Sequence, residues 1–204
     1  MRSKEQTNLA GYEQIGGNLC LDFVNTVGGG RGFETNEYLK DYVDLISWGQ
    51  IVGNLSRSAV QSLVEQAKRN PDTATEVLNR AHTLREAIYR VVTAPFHKRS
   101  ASPEDLFLIS REASFAMGRA KIVSAKNGFS WAWPESNLDL DRVLWPVARA
   151  ASDLITSPDM ERVRECASER CTWVFLDTSK NHSRRWCDMK DCGNREKVRR
   201  YRMR

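Results

Sequence analysis

Residues 166–204 read CASERCTWVFLDTSKNHSRRWCDMKDCGNREKVRRYRMR, and the spacing of the cysteines in this stretch decides how the chain ends. Cys166 and Cys171 form one C-x4-C pair, fifteen residues follow, and Cys187 and Cys192 form a second pair. Each pair can supply one edge of a tetrahedron. Thiolates suit zinc because the ion is borderline soft and takes four ligands, at about 2.3 Å for sulfur, without a redox step. Four sulfurs leave no position open to a substrate, so the expected cofactor is one structural Zn2+. Spacing alone fits iron as well. Between the pairs, Trp173-Val174-Phe175-Leu176 is a strand candidate, Asp177 to Ser183 a polar turn, and Arg184-Arg185-Trp186 the return to the third cysteine. A module this small buries little core of its own. Bound metal supplies the missing folding free energy, on the order of 10 kcal/mol or more.

Asn194 is placed to cap a helix through the remaining residues, with Val198 and Tyr201 on a face that can pack and Arg195, Arg199 and Arg202 on another. The charge is concentrated here. Residues 162–204 carry thirteen basic and six acidic side chains, whereas residues 1–161 carry eighteen and twenty. A tetrathiolate zinc site would offset about two of the seven surplus charges. The rest suit phosphate, since arginine takes two acceptors at once and each contacted phosphate releases counterions. Arg184, Arg185, Arg195, Lys197, Arg199, Arg200, Arg202 and Arg204 are therefore the candidate nucleic-acid contacts, with DNA the expected partner and a zinc-stabilised protein-interaction module the alternative reading of the same features.

The first 160 residues read as mostly α. GGNLCLDFVNT, residues 16–26, is an apolar run bounded by glycines and reads as a strand or extended piece before a loop. Leu39, Tyr42, Val43 and Ile46 recur at helical spacing within 37–51, with Asn36 as the cap. Further helices are expected over 59–68, over 72–93 after Asn70-Pro71, from Ser102-Pro103 to about 119, and over 140–155 before Ser157-Pro158. Asn127-Gly128 inside KIVSAKNGFSWAW marks a hairpin with a tight type I′ turn. The expected architecture is a helical domain over 1–160 with a short β-hairpin, then a treble-clef- or ribbon-like zinc module over 161–204 ending in a basic helix.

The tail resembles the CGNR zinc-finger family through Cys192-Gly193-Asn194-Arg195, over about residues 164–204. The preceding part, with LCLDFVNTV near its start and LREAIYRV in a central helix, resembles the ABATE domain that accompanies this finger. The resemblance implies a bacterial, zinc-dependent, stress-induced transcription regulator that binds DNA, with RNA the alternative target and Cys166, Cys171, Cys187 and Cys192 as the zinc ligands.

Asp22, Asn25, Thr26 and Arg31 cluster around Gly28-Gly29-Gly30, an arrangement suited to a small anion or ligand or to a plain hydrogen-bonded loop. The glycines lack the phosphate-loop ending and the dinucleotide spacing. The histidines pair by spacing with no nucleophile or carboxylate, so no enzyme is expected. No run is long and apolar enough for a membrane span and the start has no signal-peptide stretch, so the expected place is the cytoplasm. A homodimer is the expectation for such a regulator.

Overall fold

The computed structural model describes residues 9, 11–32, 35–134 and 139–203. The chain is mostly helical. α1 (Leu19–Val24) leads into β1 (Val27–Gly29), which pairs antiparallel with β2 (Thr35–Glu37). Four helices follow, α2 (Tyr42–Ile51), α3 (Arg57–Arg69), α4 (Pro71–Thr93) and α5 (Pro103–Met117). A ribbon of β3 (Lys121–Ala125) and β4 (Gly128–Ala132) comes next, then a 3-10 turn, Leu140–Leu144, continuing into α6 (Trp145–Ile155). The last part holds β5 (Val163–Glu165), β6 (Val174–Leu176) and the terminal α7 (Asn194–Arg202).

Residues 16–26 depart from the expected strand. Asn18 caps α1 by accepting from the Cys20 N–H at 3.0 Å, and Cys20, Leu21, Asp22, Phe23 and Val24 are all buried. A short helix buried on every side shows an unbroken apolar run, the same signature as a central strand. The strand lies just beyond it, in Val27–Gly29. Because its partner takes residues 35–37, α2 cannot start there. It starts at Tyr42, capped by Asp41, which accepts from the Asp44 N–H at 2.8 Å. The hairpin stands where Asn127-Gly128 put it, with a different turn. Ala125 pairs with Gly128, so the loop is Lys126-Asn127, and Gly128 at φ 121° makes the reversal that a type I′ turn would have asked of both loop residues.

α1 is the centre of the body, packed on α4 and α6, with α5 laid against both. Phe23 meets Trp48 at 5.1 Å between ring centroids, and Trp48 and Trp145 are fully buried. Arg85 on α4 is buried with two bonds to Glu37, Nη1 to Oε1 at 2.8 Å and Nη2 to Oε2 at 2.6 Å, plus one to Thr26 Oγ1 at 3.1 Å. This pins β2 to the long helix. Val163, Val174 and Leu176 belong to the same buried cluster as the body helices, so the β5–β6 ribbon is laid onto the body itself.

Candidate metal centre

β5 and β6 pair as Val163 with Leu176, Arg164 with Phe175 and Glu165 with Val174, and the Cys166 N–H extends the ladder to Trp173 O at 2.9 Å. The chain between them is a knuckle carrying Cys166 and Cys171, turned by a Cys171 N–H to Ser168 O bond at 3.0 Å. The second cysteine pair is sewn to it. Ala167 N donates to Arg185 O at 2.8 Å, and Cys187 N donates to Cys166 Sγ at 3.4 Å. Asp188 then starts the terminal helix by accepting from the N–H groups of Lys190 and Asp191, and a π-helical turn, Met189–Gly193, runs into α7. Asp188 thus holds the capping role expected of Asn194. Asn194 sits past the start, its amide donating to Lys190 O at 3.0 Å. Cys192 consequently lies on the helical run, which favours the treble-clef layout over the ribbon.

The four sulfurs of Cys166, Cys171, Cys187 and Cys192 lie within 4.8 Å of one another. Cys171 to Cys187 is 3.7 Å and Cys187 to Cys192 is 3.5 Å. A tetrahedron with zinc–sulfur bonds of about 2.3 Å has edges of about 3.8 Å, so the donor set fits one zinc ion. Three of the cysteines are buried and Cys171 is half-buried, with Ile15, Phe175, Trp173 and Trp186 packed around them. The thiols do not ionise independently. Hydrogen bonds from Cys171, Cys187 and Cys192 hold the Cys166 thiol down, while those to Cys166 push Cys171 and Cys187 up. A dication is what lets all four ionise together. Bound there, zinc supplies a closed cross-link and no reactive position.

Arg195 serves this centre directly, with Nη2 donating to Cys192 Sγ at 3.2 Å and to Asp191 Oδ2 at 2.9 Å. Arg199 bonds Glu169 at 2.7 Å and Glu196 at 3.1 Å, and buried Glu196 also accepts from Ser168 Oγ at 3.2 Å. These contacts clamp α7 to the knuckle. Arg184 turns inward, stacked 4.1 Å over Phe175 and donating to the carbonyls of Ile15, Trp186 and Cys187. Arg185 is exposed, with its guanidinium 5.4 Å from the Trp186 ring. Lys197, Arg200 and Arg202 are exposed and make no ion pair among the described residues. Arg204 lies outside the described residues. The expected packing of Val198 and Tyr201 is reversed, since both are exposed and Glu196 is the buried residue of α7. The side of a nine-residue helix that faces inward is set by where Cys192 must point, and polarity within α7 is a weaker constraint.

The four residues beside the glycine run are brought together around α1 and spend their polar groups internally. Asn25 Nδ2 donates to Val174 O and its Oδ1 accepts from the Val174 N–H, both at 2.9 Å. Asp22 Oδ1 accepts from the Gly16 N–H at 2.8 Å, and burial pushes its carboxyl up to about 6. Thr26 Oγ1 donates to Phe23 O at 2.7 Å. Arg31 bonds Glu86 at 2.9 Å and Val24 O at 2.9 Å, stacks 3.9 Å over Tyr89, and donates its backbone N–H to Thr172 Oγ1 at 3.0 Å. Trp173 Nε1 to Val27 O at 2.7 Å and Leu176 N to Gly16 O at 2.8 Å complete a seam between body and knuckle. A Cβ on Gly16 would stand 2.8 Å from the Asp22 nitrogen, so that approach requires glycine. Asp188 and Glu196 went unnoticed in the sequence. A capping carboxylate just before the last cysteine was legible for the first, and nothing local marks the second.

Residues 17–158 match the family model for ABATE, described as "Putative stress-induced transcription regulator". The chain belongs to the ABATE family. Residues 162–204 of this ABATE protein match the CGNR zinc finger, the segment that holds all four clustered cysteines. No curated protein matches the chain. Among the described residues, no helix is long and apolar enough to cross a membrane.

Proposed function

We propose that this ABATE-family protein is a zinc-dependent DNA-binding transcription regulator of the cytoplasm, in which residues 161–204 bind DNA and residues 1–160 form the regulatory and dimerising body. One observation carries the reading: Lys197, Arg200 and Arg202 stand exposed and, among the described residues, without acidic partners, on a helix whose root, Cys192, is a metal ligand candidate. The acids within reach, Asp191, Glu169 and Glu196, are taken by Arg195 and Arg199. The unpaired cations are therefore available to phosphate, and the metal would fix where they stand. The test is the affinity of the zinc-loaded chain for a duplex between 50 and 200 mM salt. Three phosphate contacts give a log–log slope of about −3. A flat response overturns the proposal, and tighter binding to single-stranded RNA than to duplex reassigns the partner.

A further inference from the structure

Resting on that reading, we infer that α7 enters the major groove of duplex DNA with Asn194, Val198 and Tyr201 facing the base edges, while the cations on its two flanks hold the phosphates. The orientation follows from what is buried. Cys192, Gly193 and Glu196 form the inner side of the helical run, with Glu196 only 7% exposed. Residues spaced by three and four along a helix stack on one face, so Asn194, Val198 and Tyr201 line up as a ridge on the side away from Glu196. Tyr201 is 83% and Val198 49% exposed, so the ridge offers contiguous apolar surface to a partner. Lys197 and Arg200 lie on one side of the ridge and Arg202 on the other, beside Arg195, whose guanidinium is committed to Asp191 and Cys192. An apolar crest between two cationic flanks matches a groove with bases at its floor and a phosphate strand on either wall. A flat membrane or a single strand presents no such pair of walls.

The chemistry of each position fits the groove. Val198 suits a thymine methyl, and the Asn194 amide and the Tyr201 hydroxyl suit donors and acceptors on base edges. Asn194 is held at the head of the ridge by its bond to Lys190 O at 3.0 Å. At a rise of 1.5 Å per residue, the ridge runs about 10 Å, or about three base pairs. The clamp of Arg199 to Glu169 and Glu196 ties the helix to the knuckle, so the ridge cannot roll away from the groove without breaking it.

The experiment uses the zinc-loaded full chain. Selection from random duplexes yields a preferred site, and affinities for that site and a scrambled one are then compared from 50 to 200 mM salt, with zinc content checked for each variant. Asn194→Ala, Val198→Ala and Tyr201→Ala are expected to cut the preference by about ten-fold with an unchanged salt slope. Lys197→Ala and Arg202→Ala are expected to weaken both sites equally and each reduce the slope by about one. Blocking the major-groove edges of the core bases should abolish the preference, and changing only minor-groove groups should leave it. Salt-dependent duplex binding with no sequence preference, or a preference that survives either the ridge substitutions or major-groove blocking, overturns this inference while leaving DNA binding in place. Absence of any duplex binding removes the functional reading itself, and the inference with it.

Discussion

Replacing Asn25 by alanine tests the seam that joins the body to the finger. The Asn25 amide presents a carbonyl and an N–H to the free edge of β6, as a third strand would, and bonds both backbone groups of Val174 at 2.9 Å. Asn25 and Val174 are each 0% exposed, so water cannot take its place without opening the core. The Val174 N–H and C=O would then be left buried and unpaired, at about 1–3 kcal/mol each, for a total of about 2–6 kcal/mol. Against a total stability of about 5–15 kcal/mol this is a large fraction. Asn25→Asp keeps the acceptor, loses the donor and buries a charge, so it should cost at least as much. Urea unfolding of the zinc-loaded protein reads the loss. A chromogenic chelator should also take zinc from the Asn25→Ala protein faster, because Val174 is on the strand that follows the knuckle. A loss below about 0.5 kcal/mol would refute the assigned role of this contact.

The other expectations concern charge and metal. Asp22→Asn should stabilise the fold near pH 7, by at most about 3 kcal/mol, because the folded carboxyl titrates at about 6 instead of 3.8 and burial penalises its ionised form. The sign follows from proton uptake on folding: the folded state holds this proton more tightly, so the native carboxyl costs stability as pH rises from about 4 to 6. The difference between the two proteins should close below pH 4, and a gain independent of pH would point to another cause. Cys171→Ala should drop the metal content well below one zinc per chain and expose 166–204 to protease, as read by elemental analysis and limited digestion. Arg184→Ala should lower thermal stability while leaving the salt slope of DNA binding unchanged, since its guanidinium is committed to Phe175 and three carbonyls.

The metal site was legible in the sequence because its determinants are local: two cysteine pairs at matched spacing state a tetrahedron almost by themselves. The long helices were legible too, with α4 beginning at Pro71 and α5 at Pro103 as the start signals required. What escaped was set at a distance. Asn25 finds its partner 149 residues away, and no periodicity announces such a pair. α1 hid because helix and strand give the same unbroken apolar run once every side is buried. The inward side of α7 hid because the position of Cys192 fixes it, against the hydrophobic pattern of Val198 and Tyr201. The glycine-rich loop shows the converse: the polar groups of Asp22, Asn25, Thr26 and Arg31 do converge, and the contacts they make run to α1, α4 and the knuckle.

The most direct test of the whole account is one affinity measured three times on the same protein: the zinc-loaded chain, the chain stripped by a chelator, and the stripped chain given zinc again, each titrated with duplex DNA at 50 mM salt. Binding, loss and recovery are expected, because an ion shared by the four sulfurs would tie Cys192, at the root of α7, to the knuckle. Binding that persists undiminished in the metal-free protein would contradict it.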